Sequence, residues 1–359
     1  KWSWRFRIMS DIKINNITDR SGSSGPVFAG ISTVSTSAFM VMPSGPTEFR
    51  GGRGRGIFAG GYGSSSPGEM DTMDKIEIAT AGNAIDFGNL SVARYNPAGG
   101  VSSSTRGLFS GGRKEASPAS NLTVIDYVTI SSDGGANDWG DLPTARQTHD
   151  GASNNIRGLY GGGRGAYPGQ TDNDALGIPT IEYVTIATTG RSEFFGDLLT
   201  KRIVIGGVGS PTRALFCGGY STPAVTNVIE YVEFATTGNA LDFGDLLEAG
   251  SGKACASNGT RGLITGNSSV GAGTNVIEYV TIASIGNGQD FGDLSVTRQG
   301  EGGTSNNIRG VFGGGATPSL SNVIDFVTIA STGNASDFGD LTQARPSLRA
   351  VGDAHGGLG

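Results

Sequence analysis

Six arginines recur at near-even spacing along this chain: Arg55, Arg106, Arg157, Arg213, Arg261 and Arg309. Each opens a short segment of apolar and small residues that typically ends in a glycine pair, as in Arg106-Gly107-Leu108-Phe109-Ser110-Gly111-Gly112. A guanidinium is a planar fork of donors that matches a carboxylate bidentately. Two chemistries follow. The arginines could form ion pairs inside the fold with the aspartates of a later aromatic-Gly-Asp-Leu segment: Asp141, Asp245, Asp293 and Asp340. Alternatively, a ring of arginines could capture an anion or a sialic-acid-like carboxylate. Internal pairing is the expectation, because arginine and aspartate recur in step within one unit.

Other chemistry-bearing residues are sparse. The two histidines, His149 and His355, have no cysteine partner at metal-ligand spacing, so neither a metal nor another cofactor is expected. Asp172-Asn173-Asp174 could ligate calcium, yet lacks the glycine and distal glutamate of an EF-hand loop; a solvated acidic loop is the simpler reading. No Ser/His/Asp arrangement or phosphate-binding loop is visible, and Gly161-Gly162-Gly163-Arg164 belongs to the repeat. Tyr62, Tyr167 and Tyr220 follow glycine pairs and would share one face with Arg164 and Asp172, where exposed aromatics could stack on sugar rings. Local packing over the blade edges is the plainer reading for the tyrosines.

The elements that hold these residues repeat with a period of about fifty residues. In the unit from Arg261 to Arg298, Asn275–Ile282 is β-branched and aromatic with apolar residues on both faces, the pattern of a strand buried on both sides. Ser284–Gly288 is turn chemistry, since Gly and Asn accept positive φ. Asp290-Phe291-Gly292-Asp293-Leu294 opens a further strand that ends near Arg298. Four short antiparallel strands per unit make one propeller blade. The fold is therefore all-β, a β-propeller of six four-stranded blades over residues 51–359. Strand two starts at 55, 106, 157, 213, 261 and 309, and the tail 346–359 supplies a closing strand to the first blade. A seventh blade built partly from residues 26–50 is the alternative.

The double glycines (Gly60-Gly61, Gly111-Gly112, Gly162-Gly163, Gly218-Gly219, Gly314-Gly315), the later tyrosine and the segment Trp139-Gly140-Asp141-Leu142-Pro143 resemble the kelch repeat family over about residues 50 to 359. The chain departs from that pattern in a longer tyrosine-to-aromatic spacing and in Gly266-Asn267, which replaces the glycine pair. Ser131–Trp139 is one residue too long for the Asp-box of sialidase propellers, and such boxes are turns rather than catalysts. The phrase Thr236-Thr237-Gly238-Asn239-Ala240-Leu241-Asp242-Phe243-Gly244-Asp245-Leu246, together with residues 10–50, resembles structural proteins of marine bacteriophage particles of the cyanophage type. That resemblance implies a virion protein whose residues 10–50 form a β-rich attachment arm toward other virion proteins or symmetric copies.

Composition narrows the function classes. The 62 glycines fall at fixed places in the repeat without a Gly-X-Y period, which excludes collagen. A net charge of −6 with no polybasic run argues against nucleic acid as a partner, and no apolar run is long enough for a membrane helix. Cys217 and Cys255 cannot build a disulfide scaffold and read as small packing residues. Lys1–Met9 lacks the apolar middle of a signal peptide, and residues 1–9 read as an upstream extension ahead of a natural start at Met9. The function expected is a non-enzymatic virion structural protein, an accessory tail or fibre component or a capsid decoration. The alternative is a propeller that binds a glycan or protein at a cell surface through its variable loops.

Overall fold

A computed structural model describes residues 54–64, 68–115, 120–165, 177–267 and 273–353. The upstream extension, the 10–50 arm, Tyr167, Asp172, His355 and residues 354–359 lie outside the described residues.

The described chain forms six antiparallel sheets built on four strands each, arranged as a six-bladed β-propeller. From the axis outward, blade one is Arg349–Gly352, Arg55–Ala59, Met70–Glu77 and Ile85–Arg94. Blade two is Ala98–Ser102, Arg106–Ser110, Val124–Thr129 and Asn137–Asp141. Blade three is Asp150–Ser153, Arg157–Gly161, Ile178–Thr185 and Glu193–Arg202. Blade four is Gly206–Gly209, Arg213–Cys217, Val228–Glu233 and Leu241–Asp245. Blade five is Ala254–Ser257, Arg261–Thr265, Thr274–Thr281 and Gln289–Arg298, and blade six is Gly302–Ser305, Arg309–Gly313, Val323–Thr328 and Ser336–Asp340. Blade one joins both ends of the described chain, with Gly352 opposite Gly56 and Arg349 opposite Ala59. The innermost strands then touch in order around a closed ring.

Side chains of radial sheets point at the neighbouring blades, so the apolar faces meet between blades. There is accordingly one apolar cluster for each neighbouring pair. Between blades three and four, Leu159, Ile181 and Phe195 pack against Ile205, Phe216, Val232 and Phe234. Each such buried side chain contributes about 2 kcal/mol relative to exposure.

The outer strands are clasped rather than left open. The turn between the third and outer strands reaches back to the preceding blade, where Gly286 and Gly288 donate their N–H groups to the carbonyls of Phe243 and Asp245. The asparagine of the same turn accepts: Asn287 Oδ1 takes the N–H of Asp245 at 3.1 Å, and Asn239, Asn334 and Asn83 repeat the contact on Asp197, Asp293 and Asp340. This contact accounts for the glycine of the aromatic-Gly-Asp segment. At Gly292, whose φ is +140°, a Cβ would lie 2.5 Å from the carbonyl oxygen of Gly333 in the passing turn. Edges covered in this way offer little to a foreign strand.

Candidate functional site

The six repeated arginines lie where the second strand begins, but they do not meet Asp141, Asp245, Asp293 or Asp340. Arg106 sits opposite Thr129 at one end of the third strand, whereas Asp141 sits opposite Val124 at the other end. Five residues of strand separate the two levels, roughly 17 Å. The arginines instead lean over the aromatic residue of their own third strand, as Arg213 does over Tyr231 at 4.7 Å and Arg261 over Tyr279 at 4.4 Å. From there they donate to carbonyls of the next blade: Arg106 to Ala187, Arg157 to Phe234, Arg213 to Ala283, Arg261 to Ile329 and Arg309 to Ala79. Blade one has Lys75 in the aromatic position, and there Arg55 pairs with Glu77 and Asp133 while Lys75 also pairs with Asp133. Six guanidiniums used in this way tie blades together.

The buried ion pairs involve a different arginine. Arg94, Arg146, Arg202, Arg298 and Arg345, at the end of each outer strand or in the linker after it, cross to the third-strand acid of the next blade. The partners Asp126, Glu182, Glu230, Asp325 and Asp74 stand 2.7 to 3.0 Å away, and every arginine is fully buried. The same guanidiniums satisfy backbone oxygens of that blade, as Arg202 does for Gly218 and Val228. Between blades four and five the arginine is absent. Gly250 stands in its place, and a Cβ there would meet the side chain of Asn267 at 2.6 Å. Asn267 is the residue that interrupts the glycine pair of unit five. In four of the other units that second glycine lies against the arginine stem, as Gly61 does against Arg345, so loss of the arginine and gain of the asparagine are one exchange of volume.

The repeat breaks most sharply at the axis. The residue preceding or opening each innermost strand is apolar or small in several blades, as with Pro97, Ile205 and Leu348, yet elsewhere it is His149, Asp150, Lys253, Glu301 or Arg349. All five of these polar residues are buried. Asp150, Lys253, Glu301 and Arg349 line an axial cavity of about 60 Å³ whose remaining wall is mostly glycine, serine and alanine. That is room for roughly five waters. At its far end the serines form a collar, with Ser153 Oγ donating to Ser102 O, Ser257 Oγ to Gly209 O and Ser305 Oγ to Ser257 O.

At its near end the linkers form a second collar. Asn96, Thr148, Val204, Gly252, Gly300 and Ser347 occupy equivalent positions, all with φ between +46° and +71°. Among the described residues four of them donate an N–H to the carbonyl of the preceding blade's counterpart: Asn96 to Ser347, Val204 to Thr148, Gly252 to Val204 and Ser347 to Gly300. These six residues surround an axial mouth of about 310 Å³, with Arg349 in its wall. The loops between second and third strands rise on this same face, as the bridges of Tyr95 with Arg113, Ile203 with Tyr220 and Gln299 with Ala316 show.

Burial sets the protonation of the axial groups. It pushes the Glu301 carboxyl up to about 7 against the opposing pull of Arg298, Lys253 and Arg349. Neither carboxyl oxygen of Glu301 has a hydrogen-bond partner. Asp150 is raised by burial, partly offset by Arg349 and by the N–H groups of Gly151 and Gly207. His149 is held neutral, well below the usual imidazole range, by burial and then by Arg146. Burial also pushes the Cys217 thiol up to about 12 and the Cys255 thiol well above its ordinary value, which makes both poor nucleophiles.

Of the expected ligand residues, Tyr62, Arg164 and Tyr220 are described, in the loops of blades one, three and four. Tyr62 is half-buried, edge-on to Tyr95 at 5.4 Å, with its hydroxyl on Glu115. Tyr220 is half-buried in a two-residue strand with Val225 opposite, and Arg164 pairs through its backbone with Gln147. Tyr62 thus reaches the loop of blade two, the carbonyl of Arg164 accepts from Asn121 of blade two, and Tyr167 and Asp172 lie outside the described residues. The axial residues were missed because each looks like an isolated departure. The signal was present in the repeat alignment, where a charge replaces Pro97, Ile205 or Leu348.

No family model matches the chain, and no curated protein matches it.

Proposed function

We propose that this chain is a non-enzymatic structural protein of a virion, an accessory tail or fibre component or a capsid decoration, with the propeller as a rigid platform that shows its loop face outward. One observation carries the reading: the arginines, the outer-turn asparagines and the axial serines that recur in the repeat are engaged in ties between blades. The arginine–carbonyl bridges, the buried arginine–carboxylate pairs, the asparagine clasps and the serine collar each join one blade to the next. A ring joined at so many levels suits mechanical display, and sequence variety is left to the loops and the axis. The likeness in phrase to marine phage virion proteins supplies the setting. Docking is assigned to residues 10–50, toward other virion proteins or symmetric copies.

The test uses particles purified from the genome that encodes the chain. The protein should co-purify at fixed copy number, and antibodies raised against the propeller should label intact particles. Presence in the lysate with absence from purified particles would overturn the assignment. A second reading, capture of a surface glycan or protein on the loop face, is favoured by the axial mouth. A glycan array probed with the whole protein tests it.

A further inference from the structure

Each seam between blades is plugged by one linker residue, the one that follows the near collar: Pro97, His149, Ile205, Lys253, Glu301 and Leu348. Each plug fills the space beside the glycine that ends the preceding blade's second strand. A Cβ at Gly60, Gly162 or Gly314 would meet Pro97, Ile205 or Leu348, and one at Gly218 would meet Lys253. At Gly111 it would lie 2.7 Å from the His149 ring, and at Gly266 3.0 Å from Glu301 Oε1. His149 and Glu301 are thus a base and an acid in equivalent seams on opposite sides of the axis, both fully buried. His149 Nε2 shares a hydrogen bond with Ser110 Oγ at 2.8 Å, its ring stands edge-on to Tyr160, and Nδ1 has no partner. The charged groups around it are Arg146, Arg349 and Arg94, already paired with Glu182, Asp150 and Asp126. An imidazolium there would add a fourth cation, and its Nδ1 proton would find no acceptor among the described residues. Glu301 is the converse case. Neither of its carboxyl oxygens has a hydrogen-bond partner. Of the cations around it, Arg298 is committed to Asp325 and Arg349 to Asp150, while Lys253 is shared with Glu278.

We propose that the two opposed plugs make the ring a pH see-saw: acid weakens the seam between blades two and three while it tightens the seam between blades five and six, and alkali does the reverse. A buried group that must charge without a partner forces its surroundings to open or to hold it neutral, and either course costs stability. Burial holds the His149 imidazole well below the ordinary 6.5, so its contribution is full above 6.5 and is lost as the pH falls below that value. Burial raises the Glu301 carboxyl to about 7, so its contribution is full below 4.5 and gone above about 7. The two changes run in opposite directions over the same range. The weak seam therefore crosses the ring as the pH falls from alkaline to acid, while the stability of the whole protein changes less than either seam does.

The experiment is hydrogen exchange of the full chain at pH 8 and pH 5, corrected for the chemical exchange rate and read at amides that cross each seam. Ser192 N–H donates to Asp141 O across blades two and three; Gly333 and Ala335 donate to Phe291 O and Asp293 O across blades five and six. From pH 8 to pH 5, opening at Ser192 should rise by up to about 30-fold, the cost of holding an imidazole neutral about 1.5 pH units below 6.5. Opening at Gly333 and Ala335 should fall by about tenfold or more over the same change. His149→Leu should silence the first response and Glu301→Leu the second, each leaving the other intact; leucine is already the plug at Leu348. His149→Gln and Glu301→Gln take their place should a leucine variant fail to fold. Seams that shift in the same direction, a response that survives its own substitution, or no response at either seam would each overturn the see-saw.

Discussion

Glu301 occupies a position that Leu348 and Ile205 fill elsewhere, and its carboxyl protonates near 7 because burial disfavours the charge more than Arg298, Lys253 and Arg349 favour it. A carboxyl raised on folding binds its proton more tightly in the native state. Its contribution is therefore full below the unfolded value of 4.5, falls as pH rises, and is gone above about 7. The wild type should lose stability relative to Glu301→Gln across that window, by a difference on the order of 3 kcal/mol at most. Urea melts of both proteins at pH 5 and pH 8 check it; a constant difference would show that the carboxyl titrates normally. The collar yields a second residue-level expectation. Val204 holds φ of +57° where Gly252 and Gly300 hold glycine. Left-handed backbone costs a β-branched residue more than glycine loses in chain entropy, so Val204→Gly should gain about 1 kcal/mol, seen as a higher urea midpoint at constant slope. In the sequence Glu301 shows only as a charge where other units carry an apolar residue, and Val204 shows nothing, because its backbone conformation leaves no trace in the residue type.

Between blades the decisive distinction is which arginine is buried. The arginine that opens the second strand was conspicuous in the sequence, since it heads every unit, but its contacts are a ring face and carbonyls at a partly open edge. Arg213 is 21% exposed along its side chain, and its one acidic partner, Glu233, is 44% exposed. Arg213→Ala should cost about 1 kcal/mol. Arg202 and Glu230 are both fully enclosed, and Arg202→Ala would strand a buried carboxylate at a cost of about 3 to 5 kcal/mol. Thermal melts of the two single variants settle the order; equal losses would mean that the stacked arginines are more deeply coupled than their exposure implies. The sequence did hold the clue, because an acid inside a strand apolar on both faces requires a buried cation. What it lacked was the direction of the crossing, since Arg202 reaches the acid of the following blade rather than its own. The aromatic-Gly-Asp and Thr-Gly-Asn phrases were legible as turn and strand, yet their mutual clasp across blades needs the ring to be seen.

At the scale of the whole ring, closure depends on five residues from the far end of the described chain, Leu348 to Gly352. Leu348 and Ala350 enter the cluster between blades six and one, and Val351 enters the cluster between blades one and two. Among the described residues Arg349–Gly352 is also the only strand that pairs with the axial edge of Arg55–Ala59. Six units and a closing tail were legible from the repeat alone, because unit one begins at its second strand and the tail matches a first strand. Removal of residues 346–359 should then open two apolar interfaces and one strand edge together. The loss should be cooperative, appearing as one lowered transition rather than as the melting of a single blade. An unchanged melting temperature would contradict closure by this strand. The truncation alone does not separate loss of the strand from loss of tail contacts, but a permuted chain does. Asp353 and Arg55 meet in the fold, with Asp353 N–H donating to Arg55 O and Arg55 N–H to Asp353 Oδ1 at 2.7 Å. In blade three the same gap, from Ser153 to Arg157, is bridged by Asn154-Asn155-Ile156. Moving residues 346–352 ahead of Arg55, joined by that three-residue turn, should restore the melting temperature lost on truncation. Failure of the permuted chain to recover, while still folding as a ring, would mean that closure is carried elsewhere in the chain.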